Sequence, residues 1–272
     1  MANNPNLAMS APQQQDDKAV RMRRLEGVLA RFEITIADAN DLAVLEDYEI
    51  VVIADDSGSM KSPALPPDQR VLGQTSATRW DELKHTVSEV VEIASCLDES
   101  GVDVFFLNRE PLLGVRSASD PRLLSAFARP PAGTTPLTET LERVAARTAS
   151  ERPVLLFIFT DGVPNGGPAP FKQAVKKLVA PDAPFRLRVQ IMACTGDDDE
   201  VGWMNALDRE LFEVDVTDDY YTESREVARA GLAARFTRGD WCMKAMLGPV
   251  SKKFDAWDEA TRPPPQCECS VQ

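Results

Sequence analysis

The chain has 272 residues, an apolar fraction of 43% and a net charge of −13 from 30 basic and 43 acidic residues. That length suits one substantial α/β domain with flanking segments, and the apolar share supports a packed core. The negative balance argues against a nucleic-acid backbone as partner and against electrostatic attraction to an anionic membrane surface.

Residues 1–17 are rich in Asn, Gln, Ala and Pro, which predicts a disordered N-terminal tail. Met22, Leu25, Val28, Leu29 and Phe32 then recur at helical spacing with basic residues between them. This predicts a helix packed on the outside of the domain, in preference to a basic amphipathic helix facing a membrane or partner. A short helix over Asp38 to Leu45 completes an N-terminal helical unit, 18–45. Ile50-Val51-Val52-Ile53-Ala54 follows, an apolar β-branched run suited to a strand covered on both faces. It ends in Asp55, Ser57 and Ser59 at i, i+2, i+4. Small hard oxygen ligands of that kind suit magnesium or calcium, and Gly58 permits the tight turn that would gather them. Their blander use is a helix cap or a turn.

Ser62 to Thr78, with three prolines and Gly73, reads as an irregular loop. Trp80, Leu83, Val87, Val91, Ala94 and Leu97 form a helical stripe, and His85, the single histidine, lies off it as a solvated residue. Any Ser-His-Asp arrangement would rest on that one side chain. Val102 to Leu107 is a strand, Asn108 to Val115 its short edge return, and Asp120 to Ala128 a helix capped by Asp120 with Pro121 in its first turn. A helix over Leu137 to Ala149, a buried strand over Val154 to Thr160 and a Gly/Pro loop from Gly162 to Pro170 come next. A helix over Phe171 to Val179 leads to Phe185–Met192, whose alternation predicts one wet face and a place near the sheet edge. Helix 201–210, strand 212–216 and helix 222–235 finish the pattern. The alternation predicts an α/β class, a doubly wound, mostly parallel, six-stranded sheet flanked by helices. Residues 237–261 form a helical extension whose Trp241, Met243, Met246, Phe254 and Trp257 pack back onto the domain, and 262–272 is a proline-extended tail.

Three stretches belong together. Asp55-Asp56-Ser57-Gly58-Ser59-Met60, Ala132-Gly133-Thr134-Thr135-Pro136 and Thr160-Asp161-Gly162 occur in this order, two of them at the ends of apolar strands. Together they resemble the von Willebrand factor type A fold and its metal-ion-dependent adhesion site, also seen in integrin inserted domains, over residues 46–236. With Thr78-Arg79-Trp80-Asp81-Glu82-Leu83 and Met192-Ala193-Cys194-Thr195, the chain looks most like the cytosolic, single-domain members of that family found in eukaryotes. The resemblance implies that Ser57, Ser59 and Thr134 reach the ion directly, and that Asp55 and Asp161 hold it directly or through water. Thr135 is the alternative to Thr134, because Ala132 stands where the commoner loop has glycine; Asp56 is a supporting or surface residue. The expected ion is Mg2+, with Ca2+ or Mn2+ as alternatives. Two carboxylates roughly balance its charge, but its neutral hydroxyl and water ligands leave it electrophilic toward an Asp or Glu carboxylate of a partner protein. The expected function is therefore metal-dependent protein binding. A metal-dependent hydrolase or phosphatase is the alternative, weakened because no histidine lies near the motifs and Gly162–Gly167 lacks a P-loop ending. A scaffold whose ion only braces loops is the third reading.

Four features remain. Asp197 to Glu200 reads as a helix cap, with a second, calcium-type site as the sharper alternative. Pro263 to Pro265 serves as a spacer or as an SH3-type ligand. The cysteines are Cys96, Cys194, Cys242, Cys267 and Cys269; an odd number, three in apolar segments, with no apolar signal core in Met1 to Gln15, predicts a reducing cytoplasmic setting. Cys269-Ser270-Val271-Gln272 fits the prenylation pattern, with Cys267 as a candidate palmitoyl site, which predicts peripheral attachment at the cytoplasmic face of a membrane.

Overall fold

The strand β1, Glu49–Ala54, sits mid-sheet, and Ile50 to Ala54 are all buried. The structure, a computed structural model, describes residues 11–64, 77–148, 152–195, 198–230 and 236–255. β1 pairs in parallel with β2 (Val102–Phe106) on one side and β4 (Val154–Thr160) on the other, so Ile53 lies between Phe105 and Ile158. Beyond β2 lies β3 (Leu112–Val115), antiparallel to it; beyond β4 lie β5 (Leu187–Ala193) and β6 (Val214–Thr217), both parallel. The order β3-β2-β1-β4-β5-β6 means that the chain winds outward one way from β1 and the other way from β4. This is a Rossmann-like, doubly wound α/β fold, and its switch point falls between β1 and β4. Ligands in such sheets bind at the carboxyl ends of the strands at that point.

The period-2 alternation of the strands divides the core. Ile50, Val52, Ala54, Leu155, Phe157 and Phe159 point to one face, covered by α1 (Ala11–Arg31), α3 (Arg79–Leu97) and α9 (Arg238–Leu247). Val51, Ile53, Leu156 and Ile158 point to the other, covered by α5 (Leu137–Arg147), α6 (Pro168–Val179) and α7 (Asp198–Asp208). The stripe Trp80, Leu83, Val87, Val91, Ala94, Leu97 is buried throughout, and His85 stands exposed with Nε2 3.2 Å from Glu89 Oε1. Thr78 and Asp81 form a capping box that fixes where α3 begins. Helix α4 (Pro121–Ala128) follows the expected Asp120 cap, and α8 (Tyr220–Ala230) crosses between β6 and α9.

Several expectations need correction. Residues 11–17 are helical, the beginning of α1, where Ala11 and Gln13 to Gln15 are good helix formers and Pro12 stands in the first turn; residues 1–10 lie outside the described residues. Met22 is partly exposed, and Leu25, Val28, Leu29 and Phe32 carry the packing. The second helix, α2, spans Ile36–Leu42 on a Thr35 cap and tightens into a 3-10 turn over Ala43–Asp47. No wet face exists on β5. Gln190 is fully buried, its amide donating to Thr217 Oγ1 at 3.0 Å, and Arg188 pairs with Glu213 at 3.2 Å. The reason is α9, which covers that face, while β6 supplies polar partners one place nearer the edge.

The segment after 236 is part of the same core. Trp241, Cys242, Met243, Met246 and Leu247 are buried, and the fully buried Lys244 pairs with Glu223 at 2.7 Å. A last turn, α10 (Lys252–Asp255), buries Phe254. Residues 65–76 of the irregular loop, residues 231–235, Trp257, Pro263–Pro265, Cys267 and Cys269 lie outside the described residues. Among the described residues no helix is long and apolar enough to cross a membrane.

One glycine ties the ends of the chain together. A Cβ on Gly239 would collide with the carbonyl oxygen of Phe32 at the end of α1. An alanine in a helix normally stabilises by up to about 1 kcal/mol over glycine. Here Gly239→Ala is expected to lose about 1–3 kcal/mol instead, the usual cost of overpacking, read as a lowered urea midpoint at unchanged m-value.

Candidate metal centre

The sheet delivers two carboxylates to one place. Asp55 follows β1 directly, and its N–H still bonds the Phe159 carbonyl (2.9 Å) in strand register. Asp161 follows β4, and both aspartates are fully buried. Asp55 Oδ1 accepts from the Ser57 N–H at 2.8 Å, and Oδ2 accepts from Thr160 Oγ1 at 2.7 Å. The chain then turns through a short 3-10 segment, Gly58–Lys61, anchored by the buried Met60. That turn stacks Ser57 Oγ 2.9 Å from Ser59 Oγ, and Ser59 Oγ donates to Asp161 Oδ1 at 2.8 Å. Asp55, Ser57, Ser59 and Asp161 thus form one linked oxygen cluster, with a buried base and an exposed rim at Ser59.

The third loop meets the cluster through its backbone. Gly58 N–H donates to the Gly133 carbonyl at 3.0 Å, and Ala132 N–H to the Asp56 carbonyl at 2.7 Å. Thr134 is exposed; its Oγ1 accepts from Asn165 Nδ2 at 3.1 Å and is not hydrogen-bonded into the cluster. Thr135 is half-buried; its N–H donates to Asn165 Oδ1 at 3.1 Å and its carbonyl accepts from the Asn165 N–H at 2.9 Å, so Asn165 joins this loop to the one after β4. Gly133 has φ +114°, and the Asn108 side chain fills the space a Cβ would need, so only glycine fits.

Asp56 is not a surface residue. It is fully buried and faces away from the cluster, as strand alternation requires. Its Oδ1 accepts from Asn108 N–H at 2.8 Å, and Oδ2 lies 2.8 Å from Arg109 Nε. The Arg109 guanidinium lies 5.0 Å from the Trp80 ring centroid and donates to the carbonyls of Ala126 and Pro130. The Asp56–Arg109 pair therefore fastens the loops after β1, β2 and α4 to one another.

The residue missed from sequence is Arg79. Its guanidinium bonds Asp161 Oδ2 at 2.8 Å through one terminal nitrogen, and Thr195 Oγ1 (2.8 Å) and Glu200 Oε2 (3.1 Å) through the other. The Thr78–Asp81 capping box holds the signal that locates it, since that box begins α3 beside the cluster. Burial alone would lower the Arg79 pKa, but the Asp161 and Glu200 carboxylates outweigh it and hold it above its ordinary value. Burial also pushes Asp55 up to about 6, against hydrogen bonds from Ser57 and Thr160 and with help from the Asp161 charge. Glu200 is thus drawn toward this centre; Asp197 of the acidic run lies outside the described residues.

The donor set fits a hard divalent cation. It is all oxygen, with two carboxylates and two hydroxyls at the strand ends. Two fully buried carboxylates also demand positive charge. Among the described residues no group of three or more His, Cys, Asp and Glu side chains is placed to hold a metal ion. No family model matches this chain, and no curated protein matches it.

Asp56→Ala is expected to cost about 3 kcal/mol in urea unfolding, because it leaves the largely buried Arg109 charge without its carboxylate. Asp56→Asn, which keeps an acceptor for Asn108 but removes the charge, should lose nearly as much; a clearly smaller loss would show that the hydrogen bond to Asn108, and not the charge pair, carries the effect.

Proposed function

We propose that this chain is a von Willebrand factor type A domain whose strand-end cluster holds Mg2+ and binds an acidic residue of a partner protein. The observation that carries the reading is the linked cluster of Asp55, Ser57, Ser59 and Asp161 at the switch point between β1 and β4. Those residues would hold the ion, with the Thr134 hydroxyl on the adjoining loop as the remaining ligand. A divalent ion so held is incompletely neutralised by neutral hydroxyl ligands and would accept a carboxylate at an exchangeable position.

The residues divide the work by depth. Asp55 and Asp161 supply charge from the buried base, and Thr160 fixes the Asp55 carboxylate plane by its hydrogen bond. Ser59 and Thr134 lie at the exposed rim, the side from which a partner's side chain would approach. A base built into strand ends and a rim built from three tied loops is a preorganised docking point, which favours binding over turnover. A reducing compartment belongs to the same reading. Among the described residues Cys96 and Cys242 are buried free thiols and Cys194 is a half-buried one.

Titration calorimetry tests the metal. Wild-type protein is expected to give one saturable isotherm with MgCl2, and Asp55→Ala or Asp161→Ala to abolish it. Ser57→Ala/Ser59→Ala should remain folded and lose partner capture that the wild type shows in Mg2+ and not in excess chelator. A wild type with no saturable Mg2+, Ca2+ or Mn2+ site overturns the reading.

A further inference from the structure

Asp161 divides its carboxylate between a hydroxyl and a guanidinium. Oδ1 faces the cluster through Ser59, while Oδ2 is held by Arg79. Arg79 occupies the first position of α3, where the helix dipole favours an anion and disfavours a cation. Its placement there is explained by what it reaches, not by the helix. The side chain is 14% exposed and spans from Asp161, at the end of β4, to Thr195 after β5 and Glu200 in the first turn of α7. One guanidinium thereby connects the cluster to a helix on the far side of the switch point.

We propose that Arg79 is an internal counter-cation that competes with a divalent ion for Asp161, and that Glu200 receives Arg79 when the cluster is occupied. This rests on the metal reading above. Without an ion, Arg79 supplies the positive charge that the buried Asp161 requires. An ion on Oδ1 withdraws charge from the same carboxylate and repels the guanidinium on Oδ2. Glu200 and Thr195 are the acceptors already within reach, so Arg79 can shift its bonding without leaving the site. The coupling is reciprocal. Whatever weakens the Arg79–Asp161 pair tightens the ion, and whatever strengthens Arg79–Glu200 does the same. Arg79 thus sets the affinity of the centre, and α7 senses its occupancy.

The test is a double-mutant cycle read by calorimetry with MgCl2 on the full chain. Arg79→Met keeps the aliphatic stem and removes the charge; it is expected to bind Mg2+ about tenfold more tightly than wild type. Arg79→Lys keeps the charge and should stay within about threefold of wild type, a difference of under about 0.7 kcal/mol. Glu200→Gln should weaken binding several-fold in the wild-type background and have little effect beside Arg79→Met, because its influence runs through Arg79. Circular dichroism confirms that each variant is folded. Equal or weaker binding by Arg79→Met, or a Glu200→Gln effect of the same size in both backgrounds, overturns it and leaves the metal reading intact. Absence of binding in both wild type and Arg79→Met overturns both.

Discussion

Two fully buried carboxylates at the ends of adjacent parallel strands are the constraint on which the rest of this structure depends. Their solvation must be replaced by hydrogen bonds and positive charge. Thr160 and the Ser57 amide supply the first for Asp55, and Ser59 and Arg79 supply hydrogen bonds and charge for Asp161. The parallel register brings the two together, because Ala54 pairs with Phe159 and Asp55 therefore lies beside Thr160, one residue before Asp161. The helices then serve the geometry: a capping box begins α3 where its first residue can reach Asp161.

Alternation gives consecutive aspartates opposite duties. Asp55 turns into the cluster and Asp56 turns out of it, to Asn108 and Arg109. Arg109 in turn lies against Trp80, the second residue of α3, while Arg79 before it points into the cluster. The dipeptides Asp55-Asp56 and Arg79-Trp80 are therefore read in pairs, one member serving the site and the other its scaffold. Such pairing explains how a site assembled from several loops keeps its shape without a disulfide among the described residues.

The fold was legible because its strands are long apolar runs and its helices carry clear stripes. β4 was read to the residue, and the edge return β3 followed from its short length after β2. The cluster residues Asp55, Ser57, Ser59 and Asp161 were legible because small hard oxygen ligands at strand ends are a local pattern. Arg79 was not, since its partners lie 82 and 121 positions away in sequence and no local pattern encodes such a meeting. Gln190 misled for a related reason. A polar residue in an alternating strand reads as solvent-facing, and only the tertiary placement of α9 shows that it is enclosed. The burial of Asp56 is likewise a property of its partners on β2's loop.

Lys244 gives α9 a chemical signature. Its amine is fully enclosed between α8 and α9 and neutralised by Glu223 at 2.7 Å. An amine held in that way is shielded from acylating reagents, whereas the exposed Lys252 and Lys253 a few residues on are not. The two kinds of lysine on neighbouring helices make a built-in clock and its reference. The rate at which Lys244 becomes modifiable, set against Lys252, measures how often α9 lifts from the sheet.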